Sequence, residues 1–165
     1  MDNDKLRLSS INVRRDTKFE NLVDRLCKES SFSEKSLFPY IKDLMVFAAL
    51  IGHANKAMIP IPQGSKTIPI TLETYSSDEK DSFIYLLALM ENKDATCLKN
   101  TNIHDAIKIF EGYCNGGLEI IQRWFLEHSS EPDVMNVLLD KIYEQIQKNN
   151  DKGSSISNEE IEVEF

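Results

Sequence analysis

Hydrophobic positions along this chain change period several times, and each change marks an element. Leu6, Leu8, Ile11 and Val13 show partial alternation, which predicts one short strand or an extended arm within Leu6–Arg15. From Thr17 the period lengthens. Phe19, Leu22, Val23 and Leu26 share one helical face, and Thr17 with Glu20 has the spacing of a capping box, so a helix is expected from about Thr17 to Glu29. After the polar break "SFSEKS", Pro39 suits a first helical turn. The following Ile41, Leu44, Met45, Phe47, Ala48, Leu50 and Ile51 are apolar nearly all round, the pattern of a central helix, with Gly52 or Asn55 as its stop.

"AMIPIPQGSKTIPITLETY" holds three prolines and a glycine, so it supports edge strands or an extended loop at best. "TIPITLE" is its best strand candidate and "LRLSSINV" the natural partner. Ser76 and Glu79 form a second capping-box spacing before the helical face of Phe83, Leu86, Leu87 and Met90. Ile103, Ala106, Ile107 and Phe110 line a further helix. Asn115, Gly116 and Gly117 then break the pattern before Leu118–Phe125 resumes it, which predicts two helices. A last amphipathic helix follows Pro132. The predicted fold is mostly α: a compact bundle of about six helices with one short two-stranded ribbon. Residues 1–148 are expected to form a single helical domain, and 149–165 a flexible acidic tail beginning with the linker-like "NNDKGSSISN".

Composition narrows the function. The 165 residues carry a formal charge of −8, which argues against nonspecific coating of nucleic acid. Half of that charge lies in residues 149–165, where Asp151 and four glutamates face Lys152 alone, so the body is nearly balanced and a local basic patch stays open. There is no run of about 18 apolar residues and no apolar segment near the N-terminus, so neither a membrane span nor a secretory signal is expected. Cys27, Cys97 and Cys114 lack CxxC spacing and suit reduced thiols in a cytoplasmic protein.

No catalytic or metal-binding spacing stands out. His53, His104 and His128 fit no ligand motif, and His104–Asp105 reads as a solvent-facing helix start, with an enzyme site around His104, Asp105 and Glu111 as a third alternative. The glycine pair serves better as a helix terminus than as an anion nest, because Glu119 would repel an anion. Trp124 reads as core or helix packing. No cofactor is implied. The one basic cluster is Arg14, Arg15 and Lys18, the candidate nucleic-acid contact, with a solvated mixed-charge helix start as the simpler reading. Strand-then-helices order also allows a dimeric ribbon–helix–helix DNA-binding regulator as an alternative. At the other end, Ile161, Val163 and Phe165 alternate with glutamates and form a candidate partner-binding peptide, set against a plain solubilising tail.

Three stretches, Val13–Asp16 leading into Phe19, Lys42–Gly52 ("KDLMVFAALIG") and Ile109–Ile121 ("IFEGYCNGGLEII"), together resemble the small proteins associated with bacterial DNA phosphorothioation (Dnd-type) defence loci over roughly residues 11–125. That resemblance implies a cytoplasmic, non-enzymatic accessory protein of a phage-defence system. Its partners would be proteins of a DNA modification or restriction complex, with local DNA contact also open. It carries over no catalytic residue.

Overall fold

The computed structural model describes residues 7–28, 36–131 and 133–154. Its architecture is mostly α, with six α-helices and a two-stranded antiparallel sheet among the described residues. Strand β1 (Asn12–Asp16) pairs with β2 (Thr67–Thr71), placing Val13 opposite Ile70 and Arg15 opposite Ile68. Leu8–Ser10 ahead of β1 is a 3-10 turn, so the strand is shorter than the alternation suggested. Pro69 is tolerated in β2 because the ribbon has only two strands, both of them edges. The ribbon is made within one chain, whereas a ribbon–helix–helix reader takes its second strand from another copy.

The helices are α1 (Glu20–Cys27), α2 (Ile41–Ala54), α3 (Leu72–Ser76), α4 (Asp81–Asn92), α5 (Ile103–Glu127) and α6 (Val134–Ser154). Both predicted capping boxes are absent. Asp16 rather than Thr17 caps the first turn, accepting from Lys18 N at 2.9 Å, and Glu20 is drawn away to Arg15. At the second site Glu79 takes a left-handed backbone (φ 64°), which turns the chain between α3 and α4 instead of capping α4. The linker-like "NNDKGS" continues α6 to Ser154: polar residues alone do not stop a helix already packed upstream, and the first strong breaker is Gly153.

The largest departure from the sequence pattern is α5. It runs unbroken through Asn115–Gly117 for 25 residues, about 37 Å at 1.5 Å per residue. Its glycines are contact points rather than termini. A Cβ on Gly117 would collide with the carbonyl of Ala48 in α2, and one on Gly52 with the carbonyl of Tyr113. The two backbones therefore touch where they cross. A Cβ on Gly116 would meet the carbonyl of Ala57, just past α2. There the chain leaves α2 through Asn55 and left-handed Lys56 and is tied to α5 by Ile59 N donating to Gly112 O (2.9 Å) and Asn115 Nδ2 donating to Ile59 O (3.1 Å). Leu44, Met45, Ala48 and Ala49 of α2 and Phe110, Cys114, Leu118 and Ile121 of α5 are buried.

The chain divides into two compact units, Met1–Arg123 and Trp124–Phe165. The first holds the ribbon, α1–α4 and most of α5. The second holds the last turn of α5 and α6, where Lys141 Nζ lies 3.2 Å from Glu144 and 3.8 Å from Glu127.

Alanine is the better helix former, so a Gly117→Ala change in an uncrowded helix would gain about 1 kcal/mol. At this crossing the added methyl meets backbone, which cannot step aside. Gly117→Ala is expected to destabilise by about 3 kcal/mol in urea unfolding, and Gly52→Ala similarly. A neutral or stabilising result would show that the helices do not cross this closely.

Candidate functional site

The basic cluster sits where β1 meets α1, and strand geometry sorts its members. Val13 and Arg15 point to the same face because side chains alternate along a strand. Val13 is fully buried, and Arg15 is carried in with it to 3% exposure, while Arg14 faces out. The Arg15 guanidinium is held by a two-pronged pair with Glu20, Nη1–Oε2 at 2.8 Å and Nη2–Oε1 at 3.2 Å. Its Nε is buried with no hydrogen-bond partner.

The other two basic residues face carboxylates of α5. Arg14 N donates to Glu111 Oε1 at 2.6 Å, and Lys18 Nζ pairs with Glu119 Oε1 at 2.8 Å while lying 4.7 Å from the centre of the Phe19 ring. Burial raises the Glu111 carboxyl above its ordinary range, opposed by the hydrogen bond from Arg14 N and by the Arg14 charge. Three cations and three carboxylates thus share this corner. Glu111 and Glu119 come from two turns of one helix, and they tie the ribbon and the start of α1 to α5. Of the candidate nucleic-acid residues, Arg14 and Lys18 reach solvent and Arg15 does not. The sequence signal for Arg15 was available in its two-residue offset from Val13. That of Glu111 and Glu119 was not, since they lie about a hundred residues away along the chain.

The groups of the enzymatic alternative are spread along α5. His104 and Asp105 are exposed in its first turn, Asp105 lies 3.4 Å from Lys108, and Glu111 is committed to Arg14 N two turns on. A cleft of about 280 Å³ is lined by Asn92, Asp94, Thr96, Cys97, Asn102 and Asp105. Its polar groups largely satisfy one another: Asp94 accepts from Thr96 N (3.0 Å) and Oγ1 (2.7 Å), and Asn102 Nδ2 donates to Thr96 O (2.8 Å). Among the described residues, no group of three or more His, Cys, Asp or Glu is arranged to hold a metal ion, and no helix is long and apolar enough to cross a membrane. All three cysteines are free thiols. Burial pushes Cys114 up to about 12 and Cys27 up to about 11, the latter opposed by the Arg15 charge, so both stay protonated and poorly nucleophilic near neutral pH. Ile161, Val163 and Phe165 lie outside the described residues.

The two carboxylate partners should differ sharply in worth. Glu20→Ala leaves a buried guanidinium unpaired and is expected to cost about 2 kcal/mol, less than a fully buried pair because Glu20 is part-exposed. Glu119→Ala removes a solvent-exposed pair and should cost less than about 1 kcal/mol. Denaturant titration of the two variants side by side would decide it, and equal losses would contradict the buried role of Arg15.

Searches of curated proteins and of solved structures each returned no match. A scan of protein families matches residues 12–159 to one described as DNA sulphur modification system-associated protein 4. The match begins at β1 and runs through the whole of α6, well beyond the stretch to residue 125 that carried the resemblance, so the final helix is part of the family pattern. Spanning most of the sequence, it establishes that the chain belongs to the family of DNA sulphur modification system-associated protein 4.

Proposed function

We propose that this protein is a non-catalytic accessory component of a bacterial DNA sulphur-modification system, working in the cytoplasm by contact with other proteins of that system. The observation that carries this reading is the family match over residues 12–159. The electrostatics of the β1–α1 corner favour protein over DNA as the ligand. A phosphate-binding surface needs cations that are free to displace counterions. Here Glu20 holds Arg15, Glu119 holds Lys18, and Glu111 lies beside Arg14. A DNA approaching this corner would meet as many carboxylates as cations. The same ion pairs give the corner a structural task, fastening the ribbon to α5.

The reading predicts that a tagged full-length chain, co-expressed with the modification and restriction proteins of its host's sulphur-modification system, retains at least one of them at physiological salt. It also predicts that an Arg14→Glu/Lys18→Glu variant retains duplex DNA no differently from the parent in a low-salt mobility-shift titration. Failure to retain any of those proteins, together with salt-sensitive DNA binding lost in the double variant, would replace the protein-contact reading with a DNA-contact one.

A further inference from the structure

Helix α6 leaves an apolar stripe in solvent. Met135 is 44% exposed, Leu139 56%, Tyr143 62% and Ile146 53%. At 100° per residue these four fall within a sector of about 80°. The helix buries a different face, with Val137 and Leu138 almost inaccessible and Ile142 half-buried between the two faces. So α6 is apolar on two sides, and only one of them is covered. Four large apolar side chains spaced 4, 4 and 3 residues apart on one exposed helix are the arrangement of a helix-packing surface, beyond the scattered apolar residues any surface carries.

The rim of the stripe indicates what covers it. The residues bordering it are Asn136 and Gln147 on one side and Asn149 on the other, all exposed. The charged residues of the helix stand further round: Asp133, Asp140 and Glu144 in one row, then Lys141 and Lys148. Glu144 is already paired with Lys141 at 3.2 Å. A strongly basic partner would find no anion at this rim, and an acidic segment such as "EEIEVEF" would find no cation. Amides both donate and accept, so an amide-bordered stripe is complementary to a copy of itself and meets no like charge across a two-fold axis. The spacing is compatible with that symmetry. Turned end for end about a point near Asp140–Lys141, the stripe lays Met135 against Ile146 and Leu139 against Tyr143. That antiparallel arrangement also opposes the two helix dipoles.

We propose that a second copy of this chain covers the stripe, forming a two-fold dimer through antiparallel packing of α6 on α6. This interface is separate from the β1–β2 ribbon, which each chain completes by itself. Dimerisation would present two copies of the ribbon and α5 to whatever the protein serves.

Sedimentation equilibrium of the full-length chain in reducing buffer tests it. The parent is expected to show twice its 18.9 kDa chain mass at tens of micromolar. Leu139→Lys/Ile146→Lys should run at the mass of one chain with unchanged far-UV circular dichroism, since both side chains are exposed in the single copy. Should the lysine pair disturb folding, Leu139→Ser/Ile146→Ser is expected to give the same monomer by removing the apolar contact alone. A parent that stays at one chain mass throughout the concentration range would overturn the proposal, as would a dimer that persists in the folded serine variant.

Discussion

Everything in the first unit is arranged around the place where α2 and α5 touch through glycine. Side chains normally hold helix axes 8–10 Å apart. At this crossing Gly52 and Gly117 remove them, and the backbone carbonyls of Tyr113 and Ala48 take up the space. Close approach brings Leu44, Met45 and Ala48 against Phe110, Cys114 and Leu118 with no void large enough to need another side chain. It also fixes where the chain can go next. Because α5 lies so near, the segment after α2 hydrogen-bonds directly to Gly112 and Asn115, and the path from there leads to β2. β2 in turn positions β1, and β1 delivers Arg15 into the interior and Arg14 to Glu111.

Much of this was legible along the chain, and the failures share a cause. The apolar circumference of Ile41–Ala54 announced a buried central helix, and it is one. "TIPIT" was identified as a strand, with the N-terminal alternation as its partner, and the register bears that out. The glycine pair was misread because local propensity treats Gly as a helix end, whereas a neighbouring backbone can make Gly the only residue that fits inside a helix. The capping boxes failed for a related reason: Glu20 had a stronger partner in a buried arginine than in a backbone amide. The number of helices came out as expected through two offsetting differences. One helix replaced two at Ile103–Glu127, and the short helix Leu72–Ser76 stands where extended chain was expected.

The basic cluster teaches the same lesson about function. Arg14, Arg15 and Lys18 are neighbours in sequence, and sequence alone makes them a positive patch. Folding brings Glu111 and Glu119 from α5 to meet them, and turns the patch into a set of ties between ribbon and helix. Family membership then supplies what no single side chain here could, an association with a DNA sulphur-modification system. Together these observations move attention from chemistry at a pocket to surfaces, with α6, included in the family match, offering the most apolar one among the described residues.

Native-state hydrogen exchange of the full-length protein tests the central place of the α2–α5 crossing most directly, because amides exchange only as fast as the structure around them opens. If the crossing organises the unit, the amides of Leu44–Gly52 and Phe110–Ile121 will be the slowest in the chain and will exchange together, with the free energy of global unfolding. Slower exchange elsewhere, in α4 for example, or separate exchange of the two helices, would contradict the account.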